Sequence, residues 1–449
     1  MYPENTPKRF LAGSGKAIIS PKLGTRLYGY PTDRFAATIH DDLTATAIAV
    51  SDGTTSAVLI SLTLVSIPEN ICKMAADRIQ KATGIQHCIF SATHTHSGPS
   101  VNVGSNGVPG WGGGDESYLY DIMLPGVEKA AKDAAESLTE AKLGIGEINT
   151  RTGINRRQIS EDGTIRLGRN PLGLYDPRMR VITFVTADET KTIGTIIHFG
   201  AHGTAAGGPY PDSPVTRDWS GVMTDRIEWI TGAPCAFLNG AEGDVAPRDF
   251  NRAKRVGNKE LNHIEQAMEV GGMAAVDASE AFQSIRQYIT PTLKIKTCEI
   301  KLPYEPLPDA QTAEEKLREL ESRDPDDRMA QYERNRWQKV LEEQDKPKQE
   351  AMVYAQTLVQ IGPVVFVPHP FEIFTAIAMR LDQFSPVQYT LSLANANGTN
   401  GYLPNKEEFP RGGYEIWSSR YRHAYLLTED ADTELIKQNL EFIRQMQEN

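Results

Sequence analysis

The sequence predicts an α/β fold of mixed β-sheets with flanking helices, on three observations. Short apolar runs bounded by Gly, Pro and Asn recur along the chain, the pattern of buried strands. Longer segments between them repeat their apolar residues at helical spacing. A chain of 449 residues, 40% hydrophobic and 23% charged, is long enough to bury one large core or two.

Taken in order, residues 47–50 and 57–62 flank Asp52-Gly53 and read as a hairpin. Residues 71–83 and 118–137 read as helices packed on that sheet. The stretch 102–114 holds too much glycine for regular structure. It is either a substrate loop presenting Trp111 or a flexible connector. Residues 235–238 form a strand closed by a Gly-x-x-Gly turn, and 293–302 another. Residues 309–350 form a charged, helix-forming insertion broken near Pro325, read as a solvated hairpin or as a rim to a pocket. Strands at 364–367 and 389–393 follow, the first opening into a helix that runs to about Leu381. The chain closes with a helix from Thr433 to about Gln447.

Chemistry enters at Ser91-Ala92-Thr93-His94-Thr95-His96-Ser97-Gly98-Pro99-Ser100. Cys88, Ile89 and Phe90 read as a buried strand, and residues two apart on a strand project from one face. His94 and His96 are therefore expected in one pocket, as half of a zinc site or as two packed histidines. A second apolar run ends in His198-Phe199-Gly200-Ala201-His202-Gly203. Small neighbours let a ligand approach, so His202 is the ligand candidate and His198 the packed one. A third run opens into Pro368-His369-Pro370-Phe371-Glu372 and places Glu372 in the first turn of a helix. A carboxylate there is a metal ligand or simply a partner of the helix dipole.

Composition narrows the partners. A formal charge of -11 with dispersed arginines argues against nucleic acid, whose phosphates demand basic patches. No apolar run approaches the roughly 20 residues needed to span a bilayer. The first ten residues lack the apolar core of a signal peptide, which predicts a cytoplasmic protein, or a secreted or periplasmic one whose leader has been removed. Cys72, Cys88, Cys235 and Cys298 are far apart and read as ordinary buried thiols. A small-molecule substrate is expected, and the oligomeric state stays open, a homo-oligomer included.

Several blocks together carry a family resemblance: Ala12-Gly13-Ser14-Gly15-Lys16, Ile39-His40-Asp41-Asp42-Leu43, Thr93-His94-Thr95-His96-Ser97-Gly98-Pro99, Ile154-Asn155-Arg156-Arg157, Ala201-His202-Gly203-Thr204, Asn239-Gly240-Ala241-Glu242-Gly243-Asp244 and Gly401-Tyr402-Leu403-Pro404. The chain resembles the catalytic domain of the neutral (alkaline, non-lysosomal) ceramidases over about residues 10–430. The resemblance implies one catalytic domain spanning 1–449, with the insertion at about 309–350, and a Zn2+ cofactor held by His94, His202, Glu372 and Tyr402. It places His96, Arg156 and Tyr414 against the substrate. It implies a hydrolase in which zinc-activated water cleaves an N-acyl amide, His96 moves a proton and Arg156 offsets oxyanion charge.

Departures bear on the substrate. Ala246 stands where the family carries a serine given a nucleophilic role, and Phe371 precedes Glu372 where a glycine is usual. Thr63 stands where relatives often have an acidic residue. The family's C-terminal immunoglobulin-like domain is not expected here. Two alternatives therefore stand beside the amidase: a zinc hydrolase of an ester, lactone or glycosidic bond, and a non-catalytic binding relative. Asp244 is expected to satisfy loop amides or to orient a ligating histidine, and Asp218 to cap a helix at 220–230.

Overall fold

A computed structural model describes residues 9–448 apart from 31, 104–112, 207, 209–213, 249–254, 257–258, 261–262 and 325–326. The proposed substrate loop with Trp111, and Pro325, lie outside the described residues. The expected α/β class is what the chain adopts. An eight-stranded sheet runs in the order Cys235–Asn239, Thr192–Phe199, Arg178–Thr186, Thr139–Asn149, Leu11–Ile18, Thr44–Ser51, Ser56–Leu62, His87–Ala92. Its two outermost pairs are parallel and the pairs within are antiparallel. A four-stranded sheet of Leu293–Pro303, Ala351–Ile361, Val364–Pro368 and Tyr389–Leu393 ends in another parallel pair.

Alternation along the strands assigns the layers. Ile182, Phe184, Ile196 and Leu238 of the large sheet pack against Val359, Ile361, Phe366 and Leu391 of the small one. From the same strands, Met179, Val181, Ile197 and Phe237 face helices α3 (Asp218–Thr231) and α4 (His263–Gln283). Further along that outer face lie α1 (Glu69–Thr83) and α2 (Leu124–Glu136). On the far side of the small sheet, Val365 and Val367 pack with α7 (Thr375–Phe384) and α9 (Ala431–Glu448). The molecule is thus a helix, sheet, sheet, helix stack whose core is the apolar seam between the sheets.

Two local expectations are corrected. Glu372 does not begin a helix: Glu372–Ile373 is a two-residue strand, paired in parallel with Tyr402–Leu403, and α7 starts at Thr375. Backbone partners 30 residues away won over the local helical pattern. The segment read as one helix at 118–137 opens with a π-helical turn, Tyr118–Met123, before α2. The charged insertion forms α5 (Ala310–Glu321) and α6 (Arg328–Glu342), each N-capped by an aspartate, Asp309 and Asp327.

Candidate active site

Five strands end at one edge of the two sheets, and a polar residue follows each end within four positions. His94 follows Ala92, His202 follows Phe199, Glu242 follows Asn239, Glu372 follows Pro368, and Asn395 follows Leu393. Carboxyl ends of parallel-paired strands are where open α/β sheets gather ligands, because the chain leaves the sheet there and frees side chains from pairing.

The two imidazoles of His94 and His96 meet, with ring centroids 4.8 Å apart, but not through strand alternation. The strand ends at Ala92, and His94 takes a left-handed backbone at φ 64°, uncommon for a residue with a Cβ. Its amide donates to the Leu64 carbonyl at 2.9 Å and its Nδ1 to the Val65 carbonyl at 2.7 Å, which holds the turn. Thr95 bridges Gly203, where a Cβ would stand 2.6 Å from the His94 carbonyl oxygen; only glycine lets the two histidine loops come this close.

His202 donates Nδ1 to the carbonyls of Glu242 at 2.7 Å and Val245 at 3.1 Å. With their protons committed at Nδ1, His94 and His202 present bare Nε2 lone pairs. Both point at Glu372 Oε2, 3.5 Å from His94 Nε2 and 3.3 Å from His202 Nε2. The His202 Nε2 and Glu372 Oε2 atoms are buried with no hydrogen-bond partner. With neutral rings these three atoms are all acceptors, and their convergence in the interior is costly unless a proton or a metal cation joins them. Donors about 2.0–2.1 Å from a tetrahedral zinc ion stand about 3.3–3.4 Å apart, close to the 3.3 and 3.5 Å that separate each Nε2 from the Glu372 oxygen.

Electrostatics agrees. Burial pushes the His202 ring down to about 3, with Arg156 adding to the shift, and burial with His94 and His202 nearby holds His96 well below its usual value. Both shifts favour the neutral ring, the form in which an imidazole ligates a metal. Burial pushes the Glu372 carboxyl up, and the facing His94 and His202 outweigh it and hold it well below the usual range. Glu242 goes the other way, raised well above by burial and by Glu372. Its Oε1 accepts from Asn395 Nδ2 at 2.6 Å, and its Oε2 is unpaired. Among the described residues, ligand atoms lie within 4.8 Å of one another in two overlapping sets, His94 with His96 and His202, and His94 with Glu242 and Glu372.

Tyr402 stands opposite Glu372 in the short parallel ladder, and its ring stacks on His202 at 6.5 Å. Its hydroxyl accepts from Arg156 Nη2 at 3.0 Å. Burial pushes the phenol well up, against the pull of Arg156. Arg156 is buried and bonded through Nε to Glu415 at 2.8 Å; Arg157 bonds the other Glu415 oxygen at 2.8 Å and Glu408 at 2.9 Å. Asn155-Arg156-Arg157 is therefore an interior ionic network. Tyr414 begins α8 (Tyr414–Tyr421) and meets Tyr402 edge-on at 5.9 Å.

All seven of these expected site residues, His94, His96, Arg156, His202, Glu372, Tyr402 and Tyr414, line one pocket of about 310 Å³. Met329 and Tyr332 of α6 line it as well, so the insertion contributes to the wall. With Leu167 and Trp417 they make the rest of the lining largely apolar and aromatic. Sequence reasoning passed over Glu242, Asn395 and Glu415. The first two could have been found by the signal that found the histidines, a polar residue just past an apolar strand. Nothing local marks Glu415, whose partner lies 259 positions away.

The other residues weighed fall outside the pocket lining. His198 is packed, with Nε2 on the Ser392 carbonyl at 2.9 Å. Asp244 accepts from the Thr375 amide and hydroxyl, both at 2.8 Å, so it ties the loop to α7 and orients no histidine. Asp218 accepts from the amides of Ala205, Ala206 and Trp219, fixing the loop after His202 to the start of α3. Ala246 is fully buried in the strand Val245–Pro247, and Thr63 bonds the Thr44 backbone. The four cysteines are free thiols, Cys298 partly exposed.

Fold and site thus define an α/β protein with a buried His/Glu cluster able to hold a metal ion. Residues 10–233 match the family model described as neutral/alkaline non-lysosomal ceramidase, N-terminal, and the chain belongs to that family. The crystal structure of neutral ceramidase from Pseudomonas aeruginosa superposes on 98% of this chain and 74% of its own, with a TM-score of 0.72 at 18% identity. A ceramidase complexed with C2 covers 97% and 74%, with a TM-score of 0.72 at 17% identity. At such identity the likeness shows the fold. No curated protein matches the chain. Among the described residues no helix is long and apolar enough to cross a membrane.

Proposed function

We propose that the chain is a zinc-dependent amidohydrolase of one catalytic domain that cleaves an N-acyl amide. The observation that carries this is the convergence of two imidazole Nε2 atoms, each ring held by its Nδ1 on a backbone carbonyl, on a buried carboxylate oxygen at distances close to those between tetrahedral zinc donors. His94, His202 and Glu372 would hold the ion, with Tyr402 as a fourth donor. Bound there, zinc supplies Lewis acidity and lowers the pKa of a water to about 7.

The chain's own residues supply the rest. His96, neutral and with its Nε2 3.2 Å from His94 Nε2, accepts a proton from the attacking water and returns it to the leaving nitrogen. Arg156, fixed by Glu415, keeps a positive charge at the pocket wall to offset charge on the carbonyl oxygen. Tyr414 faces the substrate from α8. Leu167, Met329, Tyr332 and Trp417 offer an apolar path for an acyl chain and exclude water. Ala246 cannot act as a nucleophile, so no acyl-serine forms.

Zinc analysis of the purified protein, with N-acyl amide, ester and glycoside substrates assayed before and after chelation, tests the reading. It predicts zinc near one per chain and an amidase activity that a chelator abolishes and zinc restores. Chelator-insensitive hydrolysis, or turnover confined to esters or glycosides, contradicts it.

A further inference from the structure

One guanidinium in the pocket wall has no ion-pair partner among the described residues. Arg422, the residue after α8, lines the pocket between Tyr421 and the loop that carries Tyr402. The other arginines of this region are committed: Arg156 to Glu415, Arg157 to Glu408 and Glu415, and Arg420 to Glu305 and Glu429. The Arg422 guanidinium makes no ion pair or side-chain hydrogen bond with any described residue; its contact is through its carbonyl, which accepts from Lys339 Nζ at 3.3 Å. Burial works against its charge, and Tyr28, Glu372, Tyr414 and Tyr402 around it outweigh that and hold it above its usual value.

The local chain is shaped to keep it there. Gly401 has φ 79°, and a Cβ at that position would lie 3.2 Å from Arg422 Cδ and Nε, so the glycine makes room for the arginine stem. The Gly401 carbonyl also receives the Glu372 amide at 2.9 Å, so one loop seats both the arginine and the carboxylate. Arg422 is partly buried, so its unpaired guanidinium faces the pocket space, and an anion that fills its fork would make charge-assisted hydrogen bonds there. Among the described residues one such cation lines the pocket, which matches one negative charge. Arg34, whose Nε and Nη1 are also unpaired, lies behind Tyr30 and does not line it.

We infer that Arg422 is a specificity-determining residue that binds a carboxylate on the amine half of the substrate, making the substrate an N-acyl amino acid. This rests on the amidohydrolase reading, from which the pocket takes its acyl path and scissile site. The acyl chain lies along Met329, Tyr332 and Trp417, and the free carboxylate of the amino acid meets the Arg422 fork among the hydroxyls of Tyr28 and Tyr414.

Equilibrium titration of the full-length protein with N-dodecanoylglycine, its neutral analogue N-dodecanoylglycinamide, and dodecanoate tests it. The native chain is expected to bind the glycine conjugate about ten-fold or more tighter than the glycinamide, as a charge-assisted bond implies. Arg422→Gln is expected to erase that difference, and Arg422→Lys to keep part of it. Equal affinities in the native chain, no binding of either conjugate, discrimination surviving in Arg422→Gln, or Arg422 dependence confined to dodecanoate each overturn the inference. Turnover is read separately. Discrimination lost in Arg422→Gln without cleavage of any amide leaves the anion site standing and removes the amidohydrolase.

Discussion

At the scale of the residue, the proposed chemistry turns on the protons of two imidazoles. His94 and His202 each spend Nδ1 on a backbone carbonyl, which fixes the tautomer and aims Nε2 at Glu372. Removing either ring by His94→Ala or His202→Ala is expected to leave a folded chain that has lost its zinc and at least about 1000-fold in kcat/KM; full metal occupancy in either variant, by elemental analysis, would refute the assignment. Ala246→Ser is expected to leave turnover unchanged within about three-fold, since no step uses that position. Asp218 supplies a pH test. Burial raises its carboxyl to about 6, although three amides oppose the shift, whereas an unfolded aspartate titrates near 3.9. The folded chain holds the proton longer, so this contribution is present below about pH 4 and is lost as pH rises to 6. The stability difference between the native chain and Asp218→Asn should therefore fall by on the order of 2–3 kcal/mol over that window, read from urea unfolding at fixed pH. A flat difference contradicts it.

At the scale of the element, the long apolar runs were legible and their partners were not. The strands at 57–62, 196–199, 235–238 and 364–367 stand out because both faces are buried, and α1 and the closing α9 because one stripe is apolar. The short Glu372–Ile373 strand was missed, because its register is set by Tyr402–Leu403 and local spacing there suits a helix turn equally well. The His94/His96 pair was found for a reason that does not hold, since a left-handed turn and not a pleat brings the rings together. Of the two readings of the charged insertion, solvated hairpin or pocket rim, α6 follows the second, since Met329 and Tyr332 line the pocket. Tyr332→Ala is expected to raise KM for long-chain N-acyl substrates about 5- to 30-fold, with metal content and kcat unchanged, as loss of 1–2 kcal/mol of apolar contact implies. An unchanged KM would take α6 out of the substrate path.

At the scale of the whole molecule, the two sheets supply a floor, and loops from five strand ends carry the groups of the proposed site. What ties the loops together is long in sequence: Glu415 holds Arg156 and Arg157 from 259 and 258 positions away, and Asn395 reaches Glu242 across 153. Such contacts leave no periodic trace, which is why the clustered histidines were readable and the ionic frame around them was not. Glu415→Gln removes the carboxylate partner of buried Arg156 and leaves Arg157 with Glu408 alone, and is expected to cost about 3–5 kcal/mol of unfolding free energy; a loss below about 1 kcal/mol would show the network to be solvated. The account as a whole depends on one ion among three side chains brought from separate strand ends. Diffraction from zinc-soaked crystals, recorded on both sides of the zinc absorption edge, tests this most directly. The predicted result is a single anomalous peak about 2.0–2.2 Å from His94 Nε2, His202 Nε2 and Glu372 Oε2; no peak there, or zinc bound only elsewhere, contradicts it.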